Sequence, residues 1–159
     1  MTYRPTISKP SNNVKYASAM PGSFSASAAA GMLQATPDTS FVTEIGSGYR
    51  IEYNLEFNAT ADTKGFDFKI DGVTLASMVP TVVNGKSGVV YFTVIKKDDT
   101  YCRWLFELNV AGQTWNFVSS TDEPIANFIK PLLPITMVST GVGTVSPIGT
   151  TQYELTKLA

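Results

Sequence analysis

The acidic side chains are the residues of this chain best suited to acid–base chemistry. Glu52, Glu56, Asp67, Asp71 and Glu107 all lie in stretches where apolar and polar residues alternate. Two carboxylates about 5–10 Å apart can hydrolyse a glycosidic bond, one as acid and the other as nucleophile or base. Alternation, however, places all five acids on the solvent side of their strands. We therefore interpret them as a solvated surface and expect no catalytic pair.

Histidine is absent from the 159 residues, and the single cysteine is Cys102. A Ser-His-Asp or Cys-His arrangement is therefore excluded, and one thiol with carboxylates is a poor zinc ligand set. We expect Cys102 to face the core, and a lone cysteine forms no intrachain disulfide. Segment 67–72 (DFKIDG) begins like a calcium loop, but Lys69 occupies a ligand position and Met78 replaces the bidentate glutamate. The sequence thus predicts no enzyme, no metal site and no cofactor.

The elements that carry these residues are strands. Residues 49–57 (YRIEYNLEF) alternate without a break between apolar and polar, and the pattern resumes over 66–70 (FDFKI). A period of two predicts strands with one buried and one solvated face. We expect the two runs to form an antiparallel hairpin through the loop 58–65.

Further strands follow along the chain, with turns at Asp71-Gly72, Asn84-Gly85, Lys96–Thr100 and Ala111-Gly112. The remaining expected strands are Met32–Ala35, Ser40–Ile45, Val73–Val83, Val89–Ile95, Cys102–Val110, Gln113–Val118, Leu133–Ser139, Gly143–Val145 and Thr151–Leu158. Thr121–Lys130 is the one stretch that favours a helix, of a turn or two. This pattern predicts an all-β fold, an antiparallel β-sandwich of jelly-roll type.

The chain divides into an extended N-terminal arm, residues 1–30, and a β-sandwich domain, residues 31–159. The first 37 residues hold three basic side chains and no acid, and proline and glycine interrupt any regular element. The arm is either a solvated tail or a segment that becomes ordered on a partner. Its candidate partner-binding residues are basic or aromatic: Tyr3, Arg4, Lys9, Lys15, Tyr16 and Phe24.

The low charge of the chain favours self-association. Charged residues make up 16% of it, against about 25% in an ordinary soluble domain. The segments Val89–Ile95 and Pro131–Met137 hold apolar residues beyond the needs of one small core, so they could meet another subunit. Val89–Ile95 could equally be a strand buried on both faces. The candidate interface residues are Val89, Tyr91, Thr93, Ile95, Leu133 and Ile135.

The sequence gives little support for nucleic acid or a membrane as a partner. Lys96 and Lys97 are followed at once by two aspartates, which is typical of a charged turn and not of a nucleic-acid site. No run of about 18 apolar residues predicts a membrane span, and the polar start lacks the apolar core of a secretory signal. We expect synthesis in the cytoplasm and no contact with nucleic acid or membrane.

Residues 48–72 (GYRIEYNLEFNATADTKGFDFKIDG) and 135–159 (ITMVSTGVGTVSPIGTTQYELTKLA) carry a resemblance. A long strand bearing the pattern YR-x-E, and a closing strand ending in Tyr153-Glu154-Leu155, resemble small trimeric jelly-roll (TNF-like) structural proteins of tailed bacteriophages. The resemblance spans roughly residues 40–159. It implies a homotrimer located on the virion. Within that group a capsid cement (decoration) protein bound to the major capsid protein is the first expectation, and the receptor-binding tip of a head or tail fibre is the alternative.

Overall fold

The computed structural model describes residues 13–14, 33–140, 145–147 and 154–158. Over these ranges the chain forms strands and one short 3-10 helix, Ile125–Asn127. The strands are β1 Asn13–Val14, β2 Leu33–Ala35, β3 Gly48–Phe57, β4 Phe66–Ile70, β5 Val73–Met78, β6 Ser87–Lys96, β7 Tyr101–Val110, β8 Gln113–Val118, β9 Glu123–Pro124, β10 Ile135–Ser139, β11 Val145–Pro147 and β12 Glu154–Leu158. In these ranges no helix is long and apolar enough to cross a membrane.

The described strands form two antiparallel sheets. The larger has the order β1-β12-β3-β6-β7-β8, with β11 beside β3 and β9 beside β7. The smaller has the order β2-β10-β4-β5. Burial alternates along β3, β4, β6 and β7, so one face of each sheet is dry. The two dry faces enclose one core, which confirms the predicted antiparallel β-sandwich.

The pairing is nested in the manner of a jelly roll. Strand β3 pairs with β11 and β12 in the larger sheet, β4 pairs with β10 in the smaller sheet, and β6 pairs with β7 back in the larger sheet. Each inner pair thus lies in the opposite sheet from the pair outside it. This nesting wraps an antiparallel ribbon around the core, as jelly-roll folds do.

Aromatic rings join the two sheets. Phe68 on β4 lies 4.9 Å, centroid to centroid, from both Phe92 on β6 and Phe106 on β7. All three side chains are fully buried. Tilted aromatic contacts of this kind add to the hydrophobic gain from burial, so this cluster fixes β4 over β6 and β7.

The hairpin expected between residues 49–57 and 66–70 is wrong. Both runs are strands, but β3 belongs to the larger sheet and β4 to the smaller, and the loop between them crosses the sandwich. Strand β4 pairs instead with β5, through a two-residue turn in which Asp71 and Gly72 both have positive φ. Alternation fixes the face of a side chain and leaves the partner strand open.

A second crossover, residues 79–86, returns the chain from β5 to β6 and contains the Asn84-Gly85 turn. Lys64 fixes it to the first crossover. Its side chain is 1% exposed, and its ammonium donates to the carbonyls of Thr60 and Asp62 and to Oδ1 of Asn84. The Gly85 N–H also donates to the Asn58 carbonyl, at 3.0 Å. The two crossovers therefore form one hydrogen-bonded unit.

Two further expectations are corrected. Of the helix of a turn or two expected within Thr121–Lys130, a single 3-10 turn forms, at Ile125–Asn127, and Glu123–Pro124 directly before it is β9. Ser40–Ile45 is a loop, not a strand. In the first segment the Ile125 N–H donates to the Thr100 carbonyl and the Lys130 N–H donates to Thr39 Oγ1, both at 3.0 Å, so two donors that a helix would need are used elsewhere. In the second segment the Ser40 N–H donates to Asp38 Oδ1 at 2.9 Å and the Val42 N–H to the Thr39 carbonyl at 3.2 Å, which are turn bonds and not a sheet ladder.

Candidate functional site

The outer face of β6 is the least polar part of the solvent side of the larger sheet. Val90, Phe92 and Val94 point into the core and are fully buried. The four residues between and beside them point outwards, namely Val89, Tyr91, Thr93 and Ile95. Ile95 is exposed and the other three are half-buried. The strand is therefore neither buried on both faces nor charged on its outer face.

The neighbouring strands set the chemistry around this face. On β3 the outward positions carry charge, and the Arg50 guanidinium lies 5.4 Å from the centre of the Tyr91 ring. Arg50 Nε also donates to Thr93 Oγ1 at 3.3 Å. On β7 Leu105 lies opposite Thr93, with Val118 beyond it on β8, whereas Arg103 lies opposite Ile95 and Glu107 lies opposite Tyr91. The uncharged face of β6 is thus bordered by charge on both β3 and β7, and it continues to the edge at β8 only through Leu105 and Val118.

Leu133 and Ile135 do not join this surface. Their side chains are 0% and 1% exposed, so both belong to the core of the sandwich. The expectation that they contribute to a subunit interface is therefore corrected. Burial alternates from Leu132 to Met137, and this period places Leu133, Ile135 and Met137 on the core side. Leu132, which directly precedes Leu133, is 69% exposed.

The arm residues expected to bind a partner, Tyr3, Arg4, Lys9, Lys15, Tyr16 and Phe24, lie outside the described residues. The arm enters the described structure at β1, where Asn13 and Val14 pair with Thr156 and Leu155 of β12.

A cleft of about 370 Å³ opens at the end of the sandwich where the β4–β5 turn meets β9 and the 3-10 helix. Its lining residues are Ile70, Asp71, Val73, Thr74, Leu75, Trp104, Glu123, Asn127 and Phe128. Carboxylate, amide and hydroxyl groups are thus combined with two aromatic side chains. The Trp104 side chain is 9% exposed, and its indole N–H has no acceptor in the part of the chain that the structure describes. This mixture of groups suits a small ligand with several hydrogen-bonding groups.

Sequence reasoning missed this cleft as a site. Its walls come from five separate elements, β4, β5, β7, β9 and the 3-10 helix, and no spacing in the sequence indicates that they meet. Asp71, interpreted from the sequence as a solvated acid, pairs with Lys130 at the rim. Glu123 and Asn127 lie in the stretch that the sequence favours as a helix, and β9 and the 3-10 turn bring them beside Trp104.

Cys102 lies opposite Glu123 in the β7–β9 pairing and is fully buried, as predicted. Burial, followed by the negative charge of Glu123, raises the pKa of its thiol to about 12. The thiol is therefore protonated at neutral pH and is not a nucleophile. Asp122 has a lowered pKa because its carboxylate accepts hydrogen bonds from Lys97 and Arg103. These charges hold the β6–β7 turn against the chain that follows β8.

The described residues contain no cluster of three or more Cys, Asp or Glu side chains able to hold a metal ion. The acids considered above for catalysis lie on outward-facing positions of β3, β4 and β7 and in the β4–β5 turn. None of the five is buried, as the alternation predicts.

No protein-family model matches the chain, and no curated protein matches it. Among solved structures the chain is similar to the metal-free form of lectin I-B4 from Griffonia simplicifolia. The identity is 9% and the TM-score 0.47, over 97% of this chain and 96% of that one. A likeness of this degree tells us nothing about ligands or partners.

Proposed function

We propose that this chain is a structural protein of a tailed-bacteriophage virion, a homotrimeric capsid decoration protein that binds the major capsid protein on the outside of the head. The observation that carries the proposal is the outer face of β6, where four successive outward positions hold Val89, Tyr91, Thr93 and Ile95. The equivalent face of β3 is charged. An uncharged face at the centre of an exposed sheet favours a protein partner over solvent.

The trimer and the virion location come from the resemblance of residues 48–72 and 135–159 to phage jelly-roll proteins. In this proposal the β6 face joins the subunits and the arm reaches the neighbouring capsid surface. Arg4, Lys9 and Lys15 give the arm a positive charge with no acid to offset it. Opposite charge on the shell would guide docking, and the aromatic side chains of the arm would supply buried area.

The action of such a protein is mechanical. A stable interface buries about 1,600 Å² in total, and each Å² of apolar surface removed from water contributes about 25 cal/mol before the cost of association. A trimer that bridges several capsid subunits adds this free energy at each bridge. The bridged shell then resists the outward pressure of packaged DNA.

The oligomeric state is the first test. Size-exclusion chromatography with light scattering at micromolar concentration should give the mass of a trimer for the wild-type chain. Ile95→Asp should shift the mass to a monomer, because it places a carboxylate in the proposed interface. Val73→Asp is the matched control, since Val73 is also exposed and β-branched but lies on β5. A wild-type monomer would contradict the trimer.

Capsid binding is the second test. The protein is mixed with capsids that lack it, and bound protein is measured after sedimentation. We expect binding that weakens when residues 1–28 are deleted and when Arg4, Lys9 and Lys15 are each replaced by Glu. Failure to bind capsids, together with binding to host cells, would overturn the assignment as a decoration protein.

The receptor-binding tip of a head or tail fibre is the second candidate, and the end cleft is the observation that favours it. Asn127 and Thr74 are exposed at its rim, and Glu123 is half-buried beside Trp104. A receptor with several hydroxyl groups would fit this chemistry. Asn127→Ala should then reduce binding to host cells without changing the binding to capsids.

A further inference from the structure

Strand β8 ends the described order of the larger sheet. Within the described ranges β8 pairs with β7 on one side and with no strand on the other. Residues 111–121 (AGQTWNFVSST) contain neither a charged residue nor a proline. Soluble proteins usually protect such an edge with Lys, Pro, a bulge or a covering segment. The opposite edge of this sheet has a cover, since β1 pairs with β12.

The outward backbone groups of β8 follow from one hydrogen bond. The Ser119 N–H donates to the Trp104 carbonyl at 3.0 Å, so these opposite residues form a hydrogen-bonded pair with β7. Bonded and non-bonded pairs alternate along an antiparallel ladder. Thr114, Asn116 and Val118 therefore direct their backbone N–H and C=O groups away from β7, towards the open side.

The β7–β8 turn leads to the same assignment. Ala111 and Gly112 both have positive φ, at 50° and 79°. These values define a two-residue type I′ turn, which is closed by a bonded pair, here Val110 and Gln113. Counting on from Gln113 again directs the backbone groups of even-numbered residues outwards.

We propose that β8 is a binding site for β8 of a second copy of this chain, added antiparallel about a twofold axis at Asn116. In this register Asn116 lies opposite Asn116 of the second copy, and Thr114 lies opposite Val118. Every outward N–H and C=O of the strand then faces a partner, and each opposed pair exchanges two backbone hydrogen bonds. A register centred on Thr114 or on Val118 leaves some of these groups unpaired.

The side chains of β8 are self-complementary in this register. Trp115 and Phe117 point to the core side and are only half-buried, although the Phe117 ring contacts Phe106 edge-on at 6.2 Å. The register places Trp115 opposite Phe117 of the second copy, so the two aromatic pairs extend the core across the junction. On the other face, Thr114 and Val118 form a β-branched pair, which stabilises neighbouring strands. No like charges oppose each other.

The edge strand β5 is a weaker candidate. Its pairing with β4 has a register shift between Phe68 and Lys69, and such a shift twists an edge away from a flat partner. The β8 contact lies on a different surface from the β6 face and does not require a capsid. It therefore goes beyond the proposed function, and either can hold without the other.

Cysteine cross-linking tests the register. Opposite residues of a bonded antiparallel pair have Cα atoms about 5.5 Å apart, within reach of a disulfide. Asn116→Cys should therefore form a covalent dimer under mild oxidation, seen on a non-reducing gel. Thr114→Cys should not link to itself, because its copies would lie about 14 Å apart, four residues along the strand. A mixture of Thr114→Cys and Val118→Cys proteins should form the heterodimer. Native Cys102 is buried and adds no background.

Adding Asn116→Lys to both proteins of that mixture should abolish the heterodimer, because two ammonium groups would meet at the axis. Asn127→Lys is the matched control and should leave the heterodimer unchanged, since Asn127 is exposed in the 3-10 helix. Circular dichroism of each variant verifies the fold. Absence of the Asn116→Cys dimer, absence of the heterodimer, or equal cross-linking by every single-cysteine variant would each overturn the proposal. A trimer in solution without these cross-links would be consistent with the β6 interface and would contradict the β8 contact.

Discussion

Replacing Lys64 by Met tests what holds the two crossovers together. The Lys64 side chain is 1% exposed and donates to the carbonyls of Thr60 and Asp62 and to Oδ1 of Asn84. The distances to the Asp62 and Asn84 oxygens are 2.8 Å and 2.9 Å. Met keeps the length and the apolar stem of the side chain and removes the ammonium. Only the hydrogen bonds and the charge are lost.

Two effects oppose each other in this variant. A hydrogen bond from a charged donor contributes about 1.5–3 kcal/mol, and three of them are lost. Against this, burying an ammonium costs several kcal/mol, and Lys64→Met recovers that amount. Thr60, Asp62 and Asn84 are themselves exposed, beside a cleft of about 220 Å³, so water replaces part of what the ammonium supplied to their oxygens. We expect the lost hydrogen bonds to outweigh the recovered desolvation, with a net loss of about 1–2 kcal/mol in the free energy of unfolding.

Equilibrium unfolding in urea measures this change. Lys86→Met is the matched control, because Lys86 is exposed in the second crossover and only its backbone takes part in described bonds. It should change the free energy of unfolding by less than about 0.5 kcal/mol. Asn84→Ala should cost less than Lys64→Met, since one acceptor is lost and water can replace it. Equal or greater stability of Lys64→Met would refute the reasoning, because desolvation of the ammonium would then outweigh its hydrogen bonds.

Three further changes have definite expected outcomes. Gly48→Ala should destabilise the fold by about 3 kcal/mol in urea unfolding, since its Cβ would lie 1.9 Å from the Val94 carbonyl oxygen; wild-type stability would contradict that packing. Cys102 should resist alkylation until the chain unfolds, and because its pKa rises from 9.0 to about 12 on folding, its contribution to stability should be lost as pH rises through that interval; rapid native labelling would contradict this. Tyr49→Phe should cost about 1 kcal/mol in thermal unfolding, because the buried hydroxyl donates to the Phe128 carbonyl at 2.9 Å, and an unchanged melting temperature would deny that bond any net value.

The strand faces could be predicted from the sequence because side-chain direction has a fixed period in a strand. Residues 49–57 and 102–110 bury the side chains that their alternation indicates. The run Val89–Ile95 remained open in the sequence because its outward positions are uncharged as well, and the structure shows that it is an ordinary strand with one buried and one partly exposed face.

Strand partners and long-range anchors could not be predicted in this way. The sequence of residues 58–65 does not distinguish a hairpin loop from a crossover. The hydrogen bonds that fix this loop join it to the distant residues 84–85, through Lys64 to Asn84 and through the Gly85 N–H to the Asn58 carbonyl. The helix expected at residues 121–130 is reduced to one 3-10 turn for a related reason, since β9 pairs with β7 and the Ile125 N–H donates to the distant Thr100 carbonyl. The end cleft depends on both of these features, so no local pattern in the sequence could predict it.

The two edges of the larger sheet differ in whether a described segment of the chain pairs with them. At one edge β12 is paired with β1, a segment of the arm, so the chain itself satisfies backbone groups there. At the other edge β8 combines outward backbone groups with half-buried aromatic side chains and no charge. An unprotected edge of this kind pairs with whatever complementary strand it meets, and another copy is present at the highest local concentration in any oligomer. If the β6 face gathers copies into a trimer, β8 then becomes the contact through which separate trimers join.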